Sequence, residues 1–177
     1  MILTLDPSLT AFGWAVLTYH EKVVSVGCVK TEPGYKKKRI RKGDDTVRRI
    51  SEINNCLIKL IKEHNITLIL SELPHGSQNA NAAQMIGATV GIVQGIADCF
   101  KLPVEWYSEG DSKKSLLGKR SATKNETISA VDGIYDVPWK KNKYQNEAIA
   151  DAISVYHCAK HQSPTIRMLQ KMKQENN

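Results

Sequence analysis

Four acidic side chains stand where a fold could gather them. Asp6 ends the apolar run "MILTLD" and Glu72 ends "ITLILSE". Each follows β-friendly residues and precedes a loop with a proline nearby, Pro7 or Pro74. If the two runs are neighbouring strands, both carboxylates lie at one end of the same sheet. Glu147 and Asp151 are spaced so that they share one helical face. Their neighbours Ala148, Ile149, Ala150, Ala152 and Ile153 are small or apolar, which suits packing of that face on a sheet. Gathering acids is costly: two like charges about 4 Å apart repel by roughly 4 kcal/mol at an effective dielectric near ~20. Protonation offsets this, and so does a divalent cation. Oxygen-only ligands suit Mg²⁺ or Mn²⁺ rather than zinc. Two such ions can flank a scissile phosphate, one activating water and the other stabilising the leaving oxygen. Taken singly, Asp6 or Glu72 reads as a loop cap and the Glu147–Asp151 pair as a solvated face. The joint pattern is what carries the chemistry.

The elements that must deliver these acids follow from the hydrophobic pattern. Residues 1–6, "WAVLTYH" and "KVVSVGCVKT" read as three strands, with "PSLTAFG" and "HEK" as turns. "GYKKKRIRKGDD" has no apolar period and reads as an exposed loop. In "DDTVRRISEINNCLIKLIKEHNI", Val47, Ile50, Ile53, Leu57, Leu60 and Ile61 recur at helical spacing, with Asp45 or Thr46 able to cap the start. The strand "ITLILSE", the loop "LPHGSQNAN", a long buried helix "ANAAQMIGATVGIVQGIADCF" and the strand "LPVEWYS" follow. A short helix or turn at "SKKSLLGK", a capped helix in "SATKNETISAVDGIY" and an amphipathic helix "YQNEAIADAISVYHCAKHQ" complete the order. The fold class this implies is α/β: a mixed five-stranded sheet, three antiparallel strands and then parallel ones, flanked by helices. One domain over 1–163 and a polar C-terminal tail over 164–177, set off by Pro164, are expected.

The chain has 177 residues, enough for one core that needs no disulfide. Cys28, Cys56, Cys99 and Cys158 are widely spaced with no CxxC pair, which argues against a zinc ribbon or a thioredoxin-like site and suits a reduced cytosolic chain. No signal peptide pattern precedes the first strand, and no membrane span is expected. Lys plus Arg number 25 against 18 acids, a formal charge of +7, which favours a polyanionic partner over a merely soluble basic protein by a small margin.

At these residues the chain resembles the RuvC-type Holliday junction resolvases, a branch of the RNase H-like nucleases. "ILTLDPSLTAFGWAVL" is similar to the family's opening strand, turn and second strand. "SELPHGSQNANAAQMIGATVGIVQG" is similar to its second motif, "SKKSLLGKRSATKNE" to the stretch with two functional lysines, and "EAIADAISVYHCAKH" to the final acidic helix. The resemblance covers most of residues 1–162. It implies an RNase H-like fold and a homodimer that binds branched DNA, cutting four-way junctions with two opposed nicks that leave 5′-phosphate and 3′-hydroxyl ends. It implies Mg²⁺ or Mn²⁺, two ions per site, held by Asp6, Glu72 and Asp151. The family's partner acid falls on Ala148, so Glu147, one residue earlier on the same face, is assigned the fourth role. Lys113 and Lys124 match the two lysines, which contact phosphate or stabilise charge on it. Lys114 and Lys119 are near enough to serve as DNA contacts, as do His75 and Asn79 in the second motif. His75 is a departure, because the family often carries a bulky aromatic there. His157 is expected to pack or to touch DNA rather than bind metal.

The basic loop is denser than the family suggests. Lys36, Lys37, Lys38, Arg39, Arg41, Lys42, Arg48 and Arg49 are expected to line a phosphate track. Gly87, Gly91 and Gly95 recur every fourth residue, a stripe for close approach by this chain's own sheet or by a twofold mate. Two other readings stay open: an RNase H-like nuclease for flaps, forks or RNA–DNA hybrids, and a non-catalytic DNA-binding module of the same fold. A cytoplasmic site of action is expected, in a bacterium or encoded by a phage. No residue pattern points to a helicase partner.

Overall fold

The computed structural model describes residues 1–34 and 40–174, so Lys36, Lys37, Lys38 and Arg39 of the basic loop lie outside the described residues. Five strands form one sheet: β1 (Ile2–Asp6), β2 (Ala11–Leu17), β3 (Val23–Lys30), β4 (Leu68–Leu73) and β5 (Val104–Ser108). Their order is β3-β2-β1-β4-β5. The β1–β2 and β2–β3 pairs are antiparallel, and β1–β4 and β4–β5 are parallel, the mixed sheet the pattern implies. Parallel neighbours need a crossover, and helices supply it: α1 (Lys42–His64) leads into β4 and α2 (Ala80–Phe100) joins β4 to β5. The chain then adds α3 (Glu109–Leu117), α4 (Lys124–Asp132), α5 (Lys143–Gln162) and α6 (Pro164–Gln174).

The sheet has a core on each face because strand side chains alternate. Leu3, Leu5, Val16 and Ile69 point to one face and pack with Ile53 and Leu57 of α1 and Ile92, Val93 and Ile96 of α2. Ile2, Ala15, Leu17, Leu68 and Leu70 point to the other and pack with Val131 of α4 and Ile149, Ile153 and Tyr156 of α5. Full burial of a large apolar side chain among these contributes roughly 1.5–3 kcal/mol relative to exposure. Gly13 on β2 allows α5 to lie close: a Cβ there would overlap the backbone carbonyl and Cβ of Ala148.

Several local expectations are corrected. β2 begins at Ala11, so the turn after β1 is shorter than "PSLTAFG", and Phe12 is wholly buried. α1 starts at Lys42 behind Arg41, which offers no side-chain cap, and neither Asp45 nor Thr46 takes that role. Asp45 is buried instead, accepting from the Gly34 backbone N–H at 2.9 Å and from Arg48 at 2.8 Å. Val47, on the expected apolar stripe, is 61% exposed. α2 is not a buried helix: it buries only Thr89, Ile92, Val93, Ile96 and Ala97. By length and composition alone it is apolar enough to cross a membrane. Its buried face is part of the domain core. Pro164 both ends α5 and opens α6, and Ile166 of α6 is fully buried against the α5 side of the sheet.

Candidate active site

The alternation that builds the two cores also aims the acids. Asp6 shares parity with Ile2, and Glu72 with Leu68 and Leu70, all on the α5 face. The parallel register pairs Leu5 with Ser71, so Asp6 and Glu72 are the next neighbours at the carboxyl ends of adjacent strands. That is where open α/β sheets place ligands. α5 crosses this face with Asp151 buried and Glu147 half-buried one turn earlier. Asp6, Lys124, Tyr144, Glu147 and Asp151 line one cleft of about 320 Å³.

The electrostatics show how tightly the acids are held. Burial pushes the Asp6 carboxyl well above the usual range, and Asp151 and Glu72 push it further. Burial, then Asp151 and Glu109, raise Glu72 to about 7. Asp151 is raised by burial, with Lys124 opposing. Burial acts to lower the Lys124 ammonium, but Asp151, Asp6 and Glu109 outweigh it and hold it charged. The lysine forms an ion pair with Asp151. Lys124 thus lies among the acids, at the cleft that Asp6 and Asp151 line.

Lys113 is buried one turn along α3 and pairs with Glu109, which draws the Glu109 carboxyl below its usual value. Both face a second cleft of about 400 Å³ that His75, Ser108 and Arg120 also line. Asn79 caps α2, its side-chain oxygen accepting from the Ala82 N–H at 3.1 Å. Lys114 is exposed, and Lys119 is exposed and paired with Glu126. Lys42 donates to the Asn81 side chain at 2.7 Å, and exposed Arg41 pairs with Asp44 at 2.8 Å. The phosphate track loses one expected member. Arg49 is buried and donates to Thr31 Oγ1 at 2.8 Å and the Leu9 carbonyl at 3.2 Å, so it ties α1 to the β1–β2 turn. Arg48 is half-buried and bound to Asp45 and Glu52. His157 is not at this site. It lies buried with Nδ1 3.0 Å from the Tyr135 hydroxyl, and burial lowers it to about 4, so it packs as a neutral ring.

Two residues at the site were missed in the sequence. Glu109 follows β5 directly, and β5 runs parallel beside β4, so a third strand end carries an acid as Asp6 and Glu72 do. The repeat of "acid after a strand" was the available signal. Tyr144, on the first turn of α5, is 75% exposed at the cleft, and no sequence pattern marked it.

The donor set, tested against a metal, is all oxygen, partly desolvated and electrostatically strained, which fits a hard divalent cation. Among the described residues no three Asp, Glu, His or Cys side chains converge on one point as they stand, and the cation lying among the acids is the Lys124 ammonium.

The comparisons with known proteins agree with this geometry. Residues 2–159 match the family described as crossover junction endodeoxyribonuclease RuvC. A protein of that name from Ehrlichia ruminantium (strain Gardel) is 26% identical over 163 residues, covering 89% of this chain and 94% of its own. One from Shewanella amazonensis is 25% identical, covering 92% and 89%. Among solved structures, T. thermophilus RuvC in complex with Holliday junction substrate superposes with a TM-score of 0.69 at 20% identity, over 90% of this chain and 94% of that one. That likeness bears out the RNase H-like fold. With the family match spanning nearly the whole described sheet and α5, the chain belongs to the RuvC family of crossover junction endodeoxyribonucleases.

Proposed function

We propose that this chain is a homodimeric, Mg²⁺- or Mn²⁺-dependent resolvase that cuts four-way DNA junctions by two matched nicks in the cytoplasm. Membership in the family implies a divalent-metal-dependent nuclease. The observation that carries the finer reading is the placing of Asp6, Glu72 and Asp151 on the α5 face at one end of the sheet, three carboxyls that burial raises above their ordinary range. These three, with Glu147 at the cleft's edge, are the residues to hold two ions. When bound, such ions activate the attacking water and stabilise the leaving oxygen. The remaining roles belong to the chain. Lys124, charged and half-exposed, is placed to leave Asp151 for a phosphate oxygen entering the cleft. Lys113, fixed by Glu109, holds positive charge at the neighbouring cleft.

The dimer is supported by α2. A Cβ at Gly87, Gly91 or Gly95 would meet nothing within 4 Å, so the stripe does not serve this chain's own sheet. Gly91, Gly95, Ile92, Ile96 and Asn54 line an open groove of about 460 Å³. The Asn54 side-chain oxygen there is buried without a hydrogen-bond partner among the described residues. Leaving such a group unsatisfied costs about 1–3 kcal/mol, and a second copy crossing this face would satisfy it. A junction with near-twofold symmetry suits two sites related by a twofold axis.

The test is a panel of labelled four-way junctions, forks, flaps and RNA–DNA hybrids, with Asp6→Asn as control. Symmetric nicks on opposing strands of the junction alone, absent from the control, are expected. Equal cutting by the control, or forks cut as fast as junctions, overturns the reading.

A further inference from the structure

Beside the acid cleft lies a smaller, more enclosed pocket of about 170 Å³, lined by Thr10, Ala11, Cys28, Lys30, Tyr144 and Gln145. Ala11 and Tyr144 belong to both cavities, so they form the wall between the acids and this pocket. We propose that this pocket receives one unstacked nucleobase of the strand being cut, from a nucleotide flanking the scissile phosphate, with Tyr144 as its stacking platform. The inference rests on the proposed nuclease reading and goes beyond it by assigning a base-recognition site.

Several observations converge on that occupant. Tyr144 is the most solvent-exposed of the protein's large exposed apolar and aromatic side chains among the described residues. An aromatic ring left in water beside a phosphate-cutting site is suited to a base face, and such stacking is tolerant of base identity. The backbone beneath the ring is fixed. Asn142 caps α5 by accepting from the Tyr144 N–H at 3.0 Å, which anchors the backbone that carries the ring. Cys28 in the lining stays a neutral thiol, since burial drives it up to about 11. The surface that the pocket exposes is apolar, which suits the flat face of a base. Lys30, which also lines the pocket, is exposed and paired with Glu32 at 3.1 Å. Bases at a junction crossover have already lost part of their stacking, so withdrawing one costs less there than within a duplex. The pocket has room for a single base, and its continuity with the acid cleft ties that base to the nucleotide whose phosphate is cut.

The experiment uses the full-length protein and static four-way junctions that carry an abasic site at either nucleotide flanking the scissile phosphate. Wild type, Tyr144→Ala and Tyr144→Phe are compared by kcat/KM. Stacking at this site predicts that an abasic site at one of the two positions slows the wild type about tenfold. Tyr144→Ala then slows the intact junction by a similar factor and cuts the abasic junction no slower than wild type does, while Tyr144→Phe keeps wild-type behaviour. Tyr144 is exposed, so circular dichroism melts of all three proteins should coincide. Factors that multiply, an unaffected Tyr144→Ala, or a Tyr144→Phe as slow as Tyr144→Ala each overturn the inference while leaving the nuclease reading intact. A wild type that nicks no junction at all sinks the nuclease reading, and this inference with it.

Discussion

At the scale of the residue, the site is a contest between one lysine and several acids. Lys124 is the counter-ion of Asp151, and it lowers the titration of Asp6 and Glu72 as well. Removing its charge should therefore have opposite effects on binding and on rate. Lys124→Met is expected to bind Mn²⁺ severalfold more tightly by titration calorimetry, because no ammonium competes for the acids. Its kcat should fall about a hundredfold, the usual cost of losing a charge-stabilising donor. Glu72 supplies a second test in the metal-free protein. Its folded pKa of about 7 lies above the ordinary 4.5, so the native state holds the proton more tightly. The stability this gives is complete below pH 4.5 and is lost as pH rises through 7. Asp6, Asp151 and Glu109 face the group as repelling acids, and Lys124 and Lys113 as relieving cations. Glu72→Gln cannot titrate. In EDTA its Tm should rise relative to wild type between pH 5 and pH 8, and a gap that stays constant across that range would exclude the strain.

At the scale of the element, α2 and α6 depart furthest from expectation. α2 has the apolar content of a buried helix, yet its glycine stripe faces away from this chain. Gly91→Leu should fold normally, since an added Cβ meets no atom of the described residues within 4 Å and the rest of the side chain enters an open groove. It should fill the groove and give a monomer by light scattering with unchanged circular dichroism. A dimer of wild-type mass would remove α2 from the interface. α6 was expected as part of a polar tail, but Ile166 turns inward and closes the core over α5. Ile166→Ala should destabilise by about 2–5 kcal/mol in urea unfolding, the range for truncating a buried isoleucine. A loss below 0.5 kcal/mol or so would mean that α6 is not part of the cooperative unit.

At the scale of the whole molecule, the charge of +7 and the acidic cleft divide the work between attraction and chemistry. Arg48 and Arg49 are tied into the scaffold, so long-range attraction falls on the remaining basic residues. Each neutralised phosphate contributes about 0.9 to the log–log salt slope of duplex binding. Replacing Lys36, Lys37 and Lys38 with alanine should flatten that slope by up to ~2.7. An unchanged slope would remove the loop from the binding surface.

The residues themselves determined which elements form and which way each acid faces. Strand alternation put Asp6 with Ile2 and Glu72 with Leu70, and four-residue spacing put Glu147 with Asp151, because local periodicity records the face a side chain shares with its near neighbours in sequence. It does not record what that face meets. Val47 kept the period of a core residue and is exposed, while Asp45 resembled a cap and is buried under the Gly34 N–H. Only the tertiary structure decided that Glu109 joins the field of the acids, that Tyr144 stands between two cavities, and that the glycine stripe is left open. Each of these depends on strand order and helix docking, which bring together groups distant in the chain through contacts no single segment encodes.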